Sequence, residues 1–233
     1  MSTIAANLQA VEATIATAAQ AANRPVSSVR LLAVSKTFPM EAVLEAMAAG
    51  QRAFGENYLQ EGVEKIAAVA RAQPDTPLEW HFIGPIQSNK TRPIAANFAW
   101  VHTVERLKIA QRLSEQRPPE LGPLNICLQV NISGEATKSG ATAAELPELA
   151  GQVASLPNLR LRGLMAIPEA QSDPALQRAA FARLRQLADD LRADGLDLDT
   201  LSMGMSGDMA SAILEGATIV RVGSAIFGSR HYD

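Results

Sequence analysis

The chain has 233 residues, 47% of them hydrophobic and 19% charged, which are the proportions of a folded protein with a sizeable core and not of a disordered one. A formal net charge of −3 provides no basic face for a polyanion, so no nucleic acid partner is expected. A single cysteine, Cys127, excludes an internal disulfide framework.

Residues 1–22 are alanine-rich and helical in pattern. Glu12 and several polar residues interrupt them, and no basic start precedes an apolar block. That is neither a signal peptide nor a membrane span, so the expected location is cytoplasmic, with no membrane partner. Beyond this helix, short β-branched or aliphatic runs alternate with longer stretches of helical period, the pattern of repeated βα units around a parallel sheet. Strands are expected at 29–35, 52–55, 79–84, 99–104, 124–131, 161–165, 200–204 and 218–223, eight in all. Helices are expected between them at 40–49, 58–73, 105–116, 143–155, 174–194 and 208–216.

Gly50, Gly195 and Gly216 stand where left-handed helix stops are wanted, and Ser172-Asp173-Pro174 reads as a capped helix start. Cys127 falls in an apolar strand and reads as a buried core thiol. No internal repeat or linker appears. The expectation is α/β: one domain over 1–233, a (β/α)8 TIM-type barrel with an additional N-terminal helix, 1–24, packed on it.

In LLAVSK, 31–36, alternation places Leu32, Val34 and Lys36 on one face, with the lysine at the strand's C-terminal end, the mouth of such a barrel. A lysine there among apolar neighbours loses hydration, which lowers its pKa and frees the amine to attack an aldehyde. A solvated lysine in a βα loop is the alternative. Near the C-terminus, Ser206 follows a strand and precedes a helix, while Gly223 and Ser224 follow the next strand. Each serine alone could be a helix cap, but together they occupy the two loops where this fold binds phosphate.

Arg221 alternates with Val220 and Val222 and should point into the barrel, where a guanidinium requires a partner. Glu56 or Asp208 could supply it. The pyridine nitrogen of a bound cofactor is the alternative that also explains the lysine and the phosphate loops. An arginine there cannot yield its proton, so the ring would be a weak electron sink, which disfavours aminotransferase or decarboxylase chemistry.

The chain resembles the pyridoxal phosphate homeostasis proteins of the YggS/PROSC family over nearly its whole length. The matching stretches are AVSKT (33–37), FGENY (54–58), WHFIGPIQSNK (80–90), GLM (163–165), MGMS (203–206) and VRVGSAIFG (220–228). The resemblance implies a barrel related to the N-terminal domain of alanine racemase, with pyridoxal 5′-phosphate held as a Schiff base on Lys36. It also implies phosphate contacts from Ser206, Gly223 and Ser224, and Arg221 at the pyridine nitrogen. Asn57 and Met165 would line the ring, and His81 would lie at or near the mouth.

Bland readings stand beside these: loop order for Asn57, core filling for Met165, a hydrogen-bonded core histidine for His81. Neither His102 nor His231 sits with His81 at metal-ligand spacing, so no metal is expected. Lys90, Lys138 and the loop 134–140 match the family without a derived role.

The function implied is a carrier involved in intracellular cofactor homeostasis, without robust turnover, whose further partners would be apoenzymes that depend on pyridoxal phosphate; a monomer is expected because no long exposed apolar stripe asks for a partner. The alternative is a racemase-like enzyme. A two-base racemase needs a second proton-transfer group, and only Tyr58 and Tyr232 exist, neither an evident catalytic partner. A third possibility is a cofactor-free scaffold.

Overall fold

Buried aliphatic positions at a period of two build the strands, and those at a period near 3.6 build the helices that cover them. In the computed structural model, which describes residues 3–133 and 139–229, the strands are β1 (Arg30–Val34), β2 (Ala53–Glu56), β3 (Glu79–Phe82), β4 (Trp100–Val104), β5 (Leu124–Gln129), β6 (Leu159–Met165), β7 (Thr200–Ser202) and β8 (Ile219–Val222). They pair in parallel in chain order, and β8 closes onto β1. This is the expected barrel, and all eight strands lie where they were predicted.

The outer helices are α1 (Thr3–Ala21), α2 (Met40–Ala48), α3 (Leu59–Ala72), α4 (Thr91–Asn97), α5 (Leu107–Gln116), α6 (Leu146–Ala154), α7 (Pro174–Ala193), α8 (Met209–Leu214) and α9 (Ser224–Phe227). Asp173 caps α7, its side chain accepting from the Ala175 amide at 2.9 Å. The expected stops Gly50, Gly195 and Gly216 adopt φ of +103°, +96° and +97°. Two elements, α4 and α9, escaped the sequence. At seven and four residues they are too short for helical periodicity to rise above the alternatives, and Pro93 masks the start of α4.

Helix α1 buries Leu8, Val11, Ile15, Ala18 and Ala19, one stripe laid against α2, α8 and α9. Polar contacts tie it down. The Asn7 amide donates to the Ile226 carbonyl at 2.8 Å, and the Arg24 guanidinium donates to the carbonyls of Ile213 and Ala217 at 2.9 and 2.8 Å.

The core has two parts. One lies between barrel and helices; the smaller, inside the barrel, gathers Leu32, Ala53, Trp100, Cys127, Met165 and Ile219. Cys127 is fully buried, and burial pushes its thiol up to about 12, so it is inert at neutral pH. Among the described residues no helix is long and apolar enough to cross a membrane.

Candidate functional site

The βα turns at the C-terminal ends of β1, β7 and β8 carry the candidate site. Strand β1 ends at Val34, and the partly buried Lys36 lies in the turn that follows. The next residue, Thr37, has a φ of +68°. The left-handed region costs a β-branched residue of order 1–3 kcal/mol, and such strain persists only where the surroundings impose it.

Strand β8 lies beside β1, with Leu32 opposite Arg221 and Ala33 opposite Val222. The next position on β8 is Gly223, whose backbone comes so near the first strand that an added Cβ would stand 3.2 Å from the Val34 carbonyl oxygen. Ser224 follows and opens α9. From the neighbouring turn, Ser206 reaches it, the two hydroxyl oxygens 3.3 Å apart. The residues named from the sequence for the phosphate thus meet at the rim next to the strand that leads into the Lys36 turn.

Ser206 does not cap α8. That helix begins at Met209 with Asp208 before it, and the Asp208 carboxylate instead closes the turn by accepting from the Met205 amide at 2.6 Å. Ser206, in the middle of this turn, keeps its hydroxyl at the Ser224 hydroxyl.

Arg221 points into the barrel as expected and is 4% exposed. Burial lowers its pKa to about 10 while the Asp208 charge opposes the fall, so it remains cationic at neutral pH. Its partners are not the two carboxylates weighed from the sequence. Nη1 donates to the Ser202 carbonyl at 2.6 Å and the Ser202 hydroxyl at 2.9 Å, and Nη2 donates to the Ala166 carbonyl at 3.1 Å. Glu56 turns the other way, accepting from Ser35 and Lys65 on the α3 side at 2.6 and 2.7 Å. Strand alternation reports the face a residue takes, not which of several charges lies within reach.

Asn57 is partly buried just beyond the end of β2. Met165 ends β6, fully buried inside the barrel, one residue before the carbonyl that accepts from Arg221.

His81 does not open onto solvent at the mouth. It is fully buried inside the barrel, stacked on Trp100 with ring centroids 5.3 Å apart. Glu79 and His81 alternate inward, and His81, the third of the four residues of β3, has its ring enclosed by Trp100 and His102. His102, which no spacing rule joined to it, lies on the neighbouring strand with Nε2 at 2.8 Å from His81 Nδ1. His231, Tyr232 and Lys138 lie outside the described residues, as do residues 134–138 of the loop 134–140. Among the described residues no group of three or more His, Cys, Asp or Glu side chains could hold a metal ion.

These histidines belong to a hydrogen-bonded chain along the barrel. Arg30 pairs with Glu79 Oε1 at 2.7 Å, and Glu79 Oε1 meets His81 Nε2 at 2.6 Å. His102 Nδ1 meets the Ser202 hydroxyl at 2.7 Å, and that hydroxyl receives Arg221. Burial raises the Glu79 pKa, but the hydrogen bonds and charges of His81 and Arg30 outweigh it, and the carboxyl stays below its ordinary value. An ionised carboxylate only accepts. His81 therefore donates from Nε2 and accepts at Nδ1 from His102 Nε2–H; His102 Nδ1 accepts from Ser202, which accepts from Arg221. Both histidines are neutral and each tautomer is fixed by its partner. Adjacent strands at matched inward parity were the signal available in the sequence.

This neutral pair makes stability depend on pH. Burial lowers the pKa of both histidines beneath 6.5, that of His102 farther because the charges of His81, Arg221 and Arg30 add to it. Below about pH 6.5 the unfolded chain binds protons that the fold refuses, so their contribution is complete above that pH and lost as pH falls. The melting temperature is expected to drop between about pH 7 and 5, and to drop less in His102→Gln, whose amide keeps a donor and an acceptor without a titrating group. Equal drops would place the pH dependence elsewhere.

The profile of the family described as alanine racemase, N-terminal domain, matches residues 6–231. A Pseudomonas aeruginosa protein named pyridoxal phosphate homeostasis protein is 66% identical over 232 residues, covering 100% of this chain and 98% of its own. The protein of that name from Escherichia coli K12 is 53% identical, covering 100% and 99%. Among solved structures, PipY of Synechococcus elongatus with PLP bound superposes with a TM-score of 0.83 at 37% identity, over 97% of this chain and 100% of that one. Alanine racemase from Corynebacterium glutamicum shares the fold, with a TM-score of 0.71 at 17% identity over 97% of this chain and 61% of the enzyme.

Proposed function

Since the chain belongs to the alanine racemase N-terminal domain family and, within it, to the pyridoxal phosphate homeostasis proteins, we propose that it holds pyridoxal 5′-phosphate on Lys36 as a cytoplasmic carrier that buffers supply of the cofactor. The donor set suits that group. Two hydroxyls converge beside a glycine that packs close against the end of β1, a guanidinium that can only donate stands on β8, and an amine lies in the turn after β1. Bound there, the cofactor supplies an aldehyde open to reversible condensation with an amine, and a pyridine ring.

Lys36 provides the amine. Ser206, Gly223 and Ser224 bind the phosphate, and Asn57 and Met165 flank the ring. Arg221, held by the Ser202 and Ala166 carbonyls, would be the partner of the ring nitrogen and would leave it without a proton, because a guanidinium cannot transfer one at neutral pH. That withholds the electron sink on which most turnover with this cofactor depends. Racemisation would further need a second proton-transfer group on the opposite face. Tyr58 stands 50% exposed at the start of α3 and is an unsuitable one. Loading and release then fit the site better than turnover, and apoenzymes that use the cofactor are the recipients this reading implies.

The observation that carries the proposal is the pairing of β1 with β8, which sets the turn bearing Lys36 beside the Gly223–Ser224 turn at one end of the barrel. Borohydride reduction of the loaded protein followed by peptide mass mapping tests it. One reduced pyridoxyl phosphate on the peptide containing Lys36 is expected. An adduct confined to other lysines, or none after addition of the cofactor, would overturn it.

A further inference from the structure

The turn that carries Lys36 is gripped from behind by a buried cluster of charges. Lys65, on α3, has a side chain only 5% exposed, and its ammonium donates to three acceptors: the Ser35 carbonyl at 2.8 Å, Glu56 Oε1 at 2.7 Å and Glu61 Oε1 at 2.8 Å. Those acceptors lead to the two residues that flank Lys36. The Ser35 hydroxyl donates to Glu56 Oε1 at 2.6 Å, and the Thr37 amide donates to Glu61 Oε1 at 2.7 Å. One ammonium thereby ties down the backbone on both sides of the lysine, including the left-handed Thr37.

Stability alone is a poor account of this cluster. Glu56 is fully buried and its Oε2 finds no hydrogen-bond partner. One cation serves two carboxylates, and buried ions of this kind stabilise a fold no better than apolar groups of the same volume. What the cluster does provide is direction. It joins the end of β1, the end of β2 and the first turns of α3, so the turn after β1 cannot relax without breaking a charged contact.

We propose that Lys65, with Glu56 and Glu61, is a positioning residue that holds the Lys36 amine where an aldehyde seated over the phosphate loops meets it. The inference rests on the carrier reading above. In the step concerned, the unprotonated amine condenses with the aldehyde: a C=N bond to Nζ forms, and the aldehyde oxygen leaves as water with the two amine protons.

The test separates capture from seating. Pyridoxal 5′-phosphate reports both, while pyridoxine 5′-phosphate, which bears an alcohol in place of the aldehyde, reports seating only. In Lys65→Met, the rate at which borohydride-trappable adduct forms on Lys36 is expected to fall about tenfold or more, an increase of roughly 1.4 kcal/mol in the barrel's capture barrier. The dissociation constant for pyridoxine 5′-phosphate should change less than about twofold. Lys65→Arg, which keeps the charge and several donors, should recover most of the rate.

If Lys65→Met fails to fold, Glu61→Ala serves, since that side chain is 32% exposed; it removes the Thr37 tie and one of the three Lys65 contacts but leaves those to Ser35 and Glu56 in place. A smaller fall in capture with unchanged seating is then expected. Equal losses with both compounds, or no loss with either, overturn the positioning role. A wild-type protein that traps no cofactor on Lys36 overturns the carrier reading itself.

Discussion

Lys36→Ala is expected to abolish covalent retention of the cofactor while leaving the fold intact. The wild-type protein should purify yellow or turn yellow on addition of pyridoxal 5′-phosphate, with absorbance near ~420 nm from the lysine-linked cofactor, and the variant should show no such band. The turns of Ser206 and Ser224 proposed to bind the phosphate remain, as does Arg221, so the variant should still bind the cofactor reversibly. An affinity lower by on the order of 100-fold, roughly 2.7 kcal/mol, is expected. Lys36 sits in a surface turn and is only partly buried, so the unfolding free energy should move by about 0.5 kcal/mol or less. A variant that still acquires a borohydride-stable adduct at wild-type occupancy would place the attachment on another lysine.

Removing the guanidinium of Arg221 should have the larger effect on stability. In Arg221→Met the carbonyls of Ser202 and Ala166 lose the donors that now lie at 2.6 and 3.1 Å, in a place with no access to water. The Ser202 carbonyl keeps the Ala166 amide at 3.3 Å, so the Ala166 carbonyl is the acceptor left orphaned; that costs about 1–3 kcal/mol, and a loss of this size is expected, read as a lowered urea midpoint with the slope unchanged. Arg221→Lys should recover only part of it, because an ammonium lacks the planar fork that spans Ala166 and Ser202. Ser202 also loses a partner and, with it, the end of the chain through His102. A midpoint within error of wild type would mean that water replaces the arginine, and that the barrel interior is less sealed than its burial indicates.

Much of this was legible beforehand for a plain reason. A parallel barrel repeats one local unit, and each strand and long helix announces itself by the spacing of its own apolar residues. Lys36 stood out because it ends a strand, and Ser206, Gly223 and Ser224 because they follow strands in loops that this fold gives to phosphate. The helix stops and the Asp173 cap were equally local. Helix α4 was not, since seven residues are too few for a period to show. His81 was expected at or near the mouth from the resemblance; β3 starts at Glu79, where the sequence puts it, but that the Trp100 and His102 rings would close over His81 depends on contacts between strands.

Chain order, the number of strands, the lysine just past the first strand and the serine-bearing turns after the last two are properties of the sequence itself, because each is written in a stretch of a few consecutive residues. The partners of the buried charges belong to the tertiary structure alone. Closure of the barrel brings His81 to His102 across 21 residues and His102 to Ser202 across 100, and it turns Glu56 toward Lys65 and Ser35 instead of Arg221. A hydrogen bond is fixed by distances of a few tenths of an ångström between side chains on different strands, and no periodicity along one strand carries that information.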